Sequence, residues 1–525
     1  MITLRLRHIL LFTVTLLLTA CQFEDDQDCP KEEHFSSSYI NLTIAVSDGQ
    51  GRTRANEPLA GEDGNGREAG FEREIAVTGV TLILYKDANG INTTTDPTLD
   101  FVRFFPVKRV ENGTDTQGTA YNPGSGDGNH NSQIEAAYTT GPQLIGKEGV
   151  LKISLSEKYH AIVVANHDLT SGLTEGVSKL SDVRDMPLST IASGNMTDLA
   201  YTFGNFVMSS EEDNTIDFGA TNTKKTLAGT AWTENDRGQD VLYDLTAQPL
   251  IIERMAARID FWAKGGTYDT SYPTAGYVYQ PWKTTDTESP SSADRFVVTR
   301  ITPFNLNNGT EYLLKRTNDV DKYLASETGN NYVIDPTTST KIGTATPSTF
   351  VNALSGIAAL ADLSTNAYSH SVADMYAQIG TGKTGGFSYS DGGTTAQDII
   401  ICYPMENTLP DESPLYYYAT GLAIEGDYYI GDNKTDPSKR EHRIYFCYIR
   451  HQGESAASYD ALLPSELSNS VKTSSGKPMN FGIVRNNIYR ISIDKVLEKT
   501  EEAPKLKIKI EEEKWRHVEH PSIYI

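Results

Sequence analysis

The chain has 525 residues, too many for one hydrophobic core, and 38% of them are apolar; two or three folded domains are expected and a disordered chain is excluded. Acidic residues outnumber basic ones 69 to 46, for a net charge of −23, a field that repels phosphate backbones and argues against nucleic acid as a partner. The cysteines are Cys21, Cys29, Cys402 and Cys447, too few for a disulfide framework, and no Cys/His spacing suggests zinc.

At the start, Arg5 and Arg7 precede an apolar run over residues 9–18 that is too short for a stable membrane span. Leu18, Thr19, Ala20 and Cys21 then match the lipobox of bacterial lipoproteins. Residues 1–20 therefore read as a lipoprotein signal peptide. Cys21 is the expected acylated N-terminus, which ties the precursor to the outer membrane. The acidic stretch 24–28 is a solvated tether with nothing to bury, and it resembles the surface-export signal of Bacteroidetes lipoproteins.

Ile40, Leu42, Ile44 and Val46 alternate with Asn41, Thr43, Ala45 and Ser47, the pattern of a half-buried strand. A soft turn over 48–51 leads to Arg52, Thr53, Arg54 and Ala55. A core-filling strand thus lies just upstream of a site suited to an Arg-specific protease; an ordinary first strand with a basic loop is the plainer alternative.

Residues 55–74 are Gly-rich and charged, a linker by composition. Strand-like runs follow at 75–85, 101–107, 150–155, 161–165 and 206–209, with a short helix expected where Leu173, Val177, Leu180 and Val183 fall at helical spacing. A second block has strands at 251–262, 312–315, 332–334, 399–403, 415–424, 444–449 and 481–493. Two helical patches interrupt it, around Phe350, Leu354 and Ile357 and around Val372, Met375, Tyr376 and Ile379. In the tail, Leu506, Ile508 and Ile510 alternate with lysines, and Trp515, Val518, Ile523 and Ile525 carry apolar weight onward. Such a tail needs a partner, inside the molecule or outside it. Many short strands, Gly-rich turns and few helices predict an all-β fold of β-sandwiches.

No constellation for catalysis emerges, and neither an enzyme, a metal site nor a cofactor is expected. His517 and His520 lack a third ligand, and Ser474 and Lys477 match SxxK only in a Gly/Pro loop. The Tyr416–Tyr418 run and the Tyr428–Tyr429 pair suit a sheet face or core better than a glycan-stacking surface. Cys402 and Cys447 each sit in an apolar run, where a cross-strand disulfide and two buried free thiols are equally compatible.

Several stretches carry a family likeness. They are Glu253-Arg254-Met255-Ala256-Ala257-Arg258-Ile259, Tyr403-Pro404-Met405-Glu406-Asn407-Thr408 and Val484-Arg485-Asn486-Asn487-Ile488-Tyr489-Arg490, with 159–166, 206–209 and 421–429. In their order and spacing the chain resembles the Bacteroidetes fimbrillins, lipoprotein precursors of type V pilus subunits of the FimA and Mfa kind. The resemblance implies two transthyretin-like β-sandwich domains in tandem, here residues 55–238 and 239–525, after a lipidated propeptide over 21–54. It also implies that an Arg-specific protease cuts between Arg54 and Ala55, with Arg52 as the alternative. The displaced strand would carry Ile40, Leu42, Ile44 and Val46, and a neighbouring copy's tail, with Leu506, Ile508, Ile510, Trp515, Ile523 and Ile525, would replace it. The implied partners are other copies of the chain, accessory pilus subunits and a host or bacterial surface ligand. The implied places are the outer membrane first and the extracellular fimbria afterwards. An uncut membrane anchor or a tip adhesin is the alternative within the same system.

Overall fold

The computed structural model describes residues 36–46, 67–68, 77–86, 96–111, 136–147, 150–188, 206–210, 214–283, 289–307, 311–316, 334–336, 350–379, 386–391, 394–409, 415–450, 459–467, 481–499 and 505–515. Strands with one apolar face bury it by stacking sheet on sheet, and the chain does this twice. In the first half a 4-stranded sheet runs Lys224–Thr226, Val241–Asp244, Ser37–Asn41 and Gln143–Lys147. A 9-stranded sheet runs Leu99–Pro106, Gly79–Tyr85, Lys158–Ala165, Met208–Ser210, Leu250–Arg254, Thr43–Val46, Ala136–Thr139 and Lys108–Glu111, with Thr215–Asp217 also paired to Lys158–Ala165. Ile40, Ile145 and Tyr243 of the smaller sheet meet Ile44, Leu82, Ile162 and Leu250 of the larger one in a single core.

In the second half a 7-stranded sheet runs Gly386–Asp391, Thr394–Cys402, Arg258–Trp262, Asn487–Leu497, Lys505–Trp515 and Tyr459–Asp460, with Arg67–Glu68 beside Lys505–Trp515. A 6-stranded sheet runs Thr267–Asp269, Gly276–Tyr279, Arg295–Phe304, Gly421–Tyr429 and Arg440–Tyr448, with His370–Ser371 on Arg295–Phe304. Ile259, Phe261, Ile491 and Ile508 pack there against Phe296, Val298, Leu422 and Tyr445. A third cluster, with Phe304, Leu354, Leu363, Tyr418 and Phe446, lies under the short helices Leu354–Ile357 and Leu415–Tyr418. The fold is therefore all-β with a few short helices, as the strand patterns predicted.

The stretch read as one strand over 251–262 is two, Leu250–Arg254 and Arg258–Trp262, in different sheets; Met255, Ala256 and Ala257 carry the chain from one sheet system to the other. Val241–Asp244 and Leu250–Arg254 pair with the first strands of the chain, so the division expected at 238/239 falls inside the first set of sheets. Residues 150–155 form turns rather than a strand, and Val150 is 69% exposed. Of the helix expected around 173–183 only Leu180–Arg184 coils. The residues before it bond sideways, with Leu99 N–H donating to Ser178 O and Leu180 N–H to Pro97 O, which leaves Val177 in solvent. The strand expected over 415–424 opens as a helical turn because Asn305 Nδ2 caps the Tyr416 and Ala419 carbonyls at 3.2 and 3.1 Å. The strand expected from 481 starts at Asn487, after Asn486 at a φ of 59°, a left-handed turn that Asn tolerates.

Candidate strand-exchange site

The alternating stretch near the N-terminus forms two short strands, Ser37–Asn41 and Thr43–Val46, and it crosses from one sheet to the other between them. In the smaller sheet it runs parallel to Val241–Asp244, with Ile40 opposite Tyr243, and antiparallel to Gln143–Lys147, with Tyr39 opposite Leu144. In the larger sheet it runs parallel to Leu250–Arg254, with Ile44 opposite Leu250, and antiparallel to Ala136–Thr139, with Ile44 opposite Tyr138. The segment is therefore interior to both sheets. Its removal would leave four strand edges, two in each sheet, and one apolar slot open at once.

Ile40, Leu42 and Ile44 are fully buried in the first core. Burying three such side chains stabilises by about 5–9 kcal/mol before ordering costs. Val46 ends the second strand in pairing with Ile252. The half-buried reading holds for Ser37–Asn41, where Tyr39 and Asn41 are partly exposed. It fails beyond Leu42, since Thr43 and Ala45 are buried too; a strand with partners on both sides in the middle of the large sheet has little left to show to solvent.

At the crossing, Leu42 belongs to neither ladder. Its carbonyl accepts from Thr140 N–H at 3.1 Å, and its N–H donates to Thr140 Oγ1 at 2.9 Å. Flanking bonds complete the seat: Ser37 N–H donates to Asp240 Oδ1 at 2.7 Å and Leu245 N–H to Asn41 O at 3.0 Å. Nothing in the sequence singles out Thr140. Its role follows from a crossing whose partners lie about a hundred residues apart in the chain.

The other site residues divide. Cys21, Arg52, Arg54, Ala55, Ile523 and Ile525 lie outside the described residues. The tail strand Lys505–Trp515, however, is not free: it pairs antiparallel with Asn487–Leu497 over 505–514 and with Tyr459–Asp460 on its other side. Leu506 and Ile508 are fully buried in the second core. Ile510 pairs with Ile491 and Trp515 with Glu68. Among the partners that the tail was expected to need, one is thus the chain's own second sheet.

The stretches that carried the family likeness converge where the two sheet systems join. Met255 N–H donates to Val207 O, Ala257 N–H to Pro404 O and Asn486 N–H to Ala256 O, at 3.1, 3.0 and 2.9 Å. Arg254 Nη1 donates to Asn486 Oδ1 at 3.2 Å, and the Phe206 and Tyr403 rings meet at 5.0 Å. Asn166, at a φ of 60°, donates through Nδ2 to Phe206 O at 2.7 Å. At the centre, Arg485 Nη2 lies 2.8 Å from Glu406 Oε2 and 3.0 Å from Glu311 Oε1, all three side chains sealed from solvent. The same guanidinium donates to the Tyr312 and Leu313 carbonyls. Burial pushes the Glu311 carboxyl well above the usual range, against the pull of Arg485 and with the push of Glu406; one cation does not hold two buried carboxylates. Burial and the neighbouring Glu406 charge thus favour the neutral form of Glu311.

The remaining candidates stay in structural roles. Tyr418, Tyr428 and Tyr429 are buried. Cys402 and Cys447 are free buried thiols, and burial, helped by Asp260, pushes the Cys402 thiol up and out of reactivity. Among the described residues no three His, Cys, Asp or Glu side chains gather to hold a metal, and no helix is long and apolar enough to cross a membrane.

Among solved structures the chain is similar to the tip fimbrial protein Mfa3 of Porphyromonas gingivalis, at 10% identity over 91% of this chain and 100% of that one, TM-score 0.36. It is similar to a fimbrilin (fimA) of Porphyromonas gingivalis, at 12% identity over 92% and 98% of the two chains, TM-score 0.34. A fimbrial assembly protein of Parabacteroides distasonis matches at 10% identity over 91% and 96%, TM-score 0.30. No protein-family model and no curated protein matches the sequence. Overlaps this loose transfer no function.

Proposed function

We propose that the protein is a structural subunit of a cell-surface fimbria that polymerises by exchange of a β-strand and supports adhesion to a host or bacterial surface. The precursor is exported as a lipoprotein acylated at Cys21 and held at the outer membrane. An Arg-specific protease cuts between Arg54 and Ala55, or after Arg52, and the segment carrying Ile40, Leu42, Ile44 and Val46 leaves. The tail of another copy then adds itself to the vacated sheets, with main-chain hydrogen bonds for affinity and alternate apolar side chains for fit. One observation carries this reading: the segment upstream of the two arginines is interior to both sheets of the first core, with Ile40, Leu42 and Ile44 fully buried. While it stays in place the subunit is capped, so assembly waits for the cut.

The test is digestion of the purified full-length precursor with an Arg-specific protease, followed by a mild gel. Ladders are expected, and Arg54→Ala, or Arg52→Ala with it, removes them. A clean monomer after complete cleavage refutes the proposal.

A second reading has its own observation. Leu506 and Ile508 are buried in the chain's own second core, so a copy in this state does not donate those two residues. Donation requires Lys505–Trp515 to peel from Asn487–Leu497. A subunit that keeps the tail docked would end a fibre, as an uncut lipidated anchor or as a tip adhesin. N-terminal sequencing of surface protein separates these. A start at Ala55 fits shaft or tip, and a start at an acylated Cys21 fits the anchor.

A further inference from the structure

We infer that Thr140 is the residue that seats a strand at the sheet crossing of the first core: its hydroxyl accepts from the amide of whichever residue occupies that crossing. The inference deepens the strand-exchange reading and rests on it for the incoming strand. It begins from a gap in the ladders. A strand that stays in one sheet has its amides satisfied by its neighbours. One that changes sheets has a residue whose N–H and C=O belong to neither. Leu42 is that residue, fully buried, and Thr140 satisfies both groups, one with its backbone and one with its side chain.

Thr140 is itself fixed on every side. It is 2% exposed. Oγ1 lies 3.1 Å from the Gly141 carbonyl, to which its own proton goes, and 3.5 Å from Ile40 O, while Gln143 Nε2 donates to Thr140 O at 2.9 Å. With its proton committed, the hydroxyl offers a lone pair at the crossing. A strand seated one residue out of step would turn its apolar set away from the core. A strand seated two residues out of step would leave the alternation intact but move the crossing. Each such strand still brings a backbone N–H to the crossing, since every residue but proline carries one; the fixed acceptor seats the crossing amide, and register is left to the fit of the side chains. In the tail, Leu506, Ile508 and Ile510 have the spacing of Ile40, Leu42 and Ile44. In the same register the Ile508 amide would meet Thr140.

The test uses the full-length precursor cut by an Arg-specific protease, with synthetic peptides of residues 36–47 as the probe. Thr140→Val keeps the shape and removes the acceptor. It should weaken peptide binding by about 5–100-fold, the cost of leaving a buried amide unpaired. Thr140→Ser should restore binding to within about threefold. A second peptide replaces the Asn41–Leu42 amide with an ester, which deletes the N–H. It should bind the native protein more weakly and lose nothing further on Thr140→Val. Weakening of the Asn41 carbonyl by the ester acts equally on both proteins and cancels in the cycle. Losses that simply multiply overturn the inference. If the cut protein takes up no peptide, strand exchange itself fails, and hydrogen exchange on the uncut precursor then decides the role of Thr140. Faster exchange of the Leu42 amide in Thr140→Val, but not in Thr140→Ser, upholds it; equal protection in all three overturns it.

Discussion

The two cores are each closed by a strand from near one end of the described chain, and the two closures differ in kind. Lys505–Trp515 closes the second core beside Asn487–Leu497, its near neighbour in sequence, in a single sheet. Ser37–Val46 closes the first core across two sheets, between partners about a hundred and two hundred residues away. A hairpin pairing forms locally, with little loop-closure cost. A segment inserted among distant partners is held only by side-chain burial and its ladders. A cut in the connection behind it separates it from the rest without breaking any other pairing. Under the strand-exchange proposal, that asymmetry would make the first closure the replaceable one.

The sharpest way to break this comparison is at the cut. Replacing both Arg52 and Arg54 with Ala should abolish ladder formation by protease-treated precursor, while thermal stability of the uncut protein stays within about 0.5 kcal/mol, the usual scatter for surface substitutions. Ladders that persist would place the processing site elsewhere.

The junction decides whether the two closures are felt independently. Arg485→Met should cost about 3–5 kcal/mol, since it strands the Glu406 carboxylate in the interior. Denaturant unfolding should then resolve into two transitions. Glu311→Gln, which keeps the side chain's shape where burial favours the neutral acid, should change stability by less than about 1 kcal/mol. Similar losses for the two variants would mean that Glu311 is ionised.

Within each core, Leu42→Ala and Ile508→Ala should each cost about 2–5 kcal/mol in the uncut protein. After cleavage the two should part. Leu42→Ala should speed departure of residues 36–47 as followed by gel filtration, whereas Ile508→Ala leaves that rate alone. Equal effects on departure would make the two closures one cooperative unit.

The smallest effect is a pH dependence confined to the second core. His442 lies between carboxylates, with Nδ1 3.1 Å from Asp427 Oδ1 and Nε2 3.0 Å from Glu425 Oε1. The bonds to Asp427 and Glu425 raise it to about 9, with partial burial opposing. Arg440, 2.7 Å from Asp427, shares that carboxylate. Because the folded state binds the proton more tightly, this stabilisation is whole below about pH 6.5 and is lost as pH rises through about 9. The His442 side chain is 38% exposed, so screening keeps the effect small. His442→Gln should flatten the second core's unfolding midpoint between pH 6.5 and 9 and leave that of the first core unchanged. A native midpoint already flat over this range would show that the imidazole is not charged there.

What the amino-acid order determined by itself was the set of faces. Ile40, Leu42 and Ile44 were legible as core residues because a strand repeats every two residues whatever surrounds it, and the same period marked Leu506 and Ile508. The all-β class followed from many such runs between Gly-rich turns. What only the tertiary structure decided was pairing between distant parts. The crossing at Leu42, the parallel partners Val241–Asp244 and Leu250–Arg254, and the division of 251–262 into two strands depend on groups far apart in the chain. The charges of Glu253, Arg254, Arg258 and Asp260 blurred a pattern that made sense only once Arg254 met Asn486 and Arg258 met Asp260. Thr140, and the docked state of the tail, were invisible for the same physical reason: periodicity records which way a side chain faces, while hydrogen-bond partners and neighbours are chosen by packing.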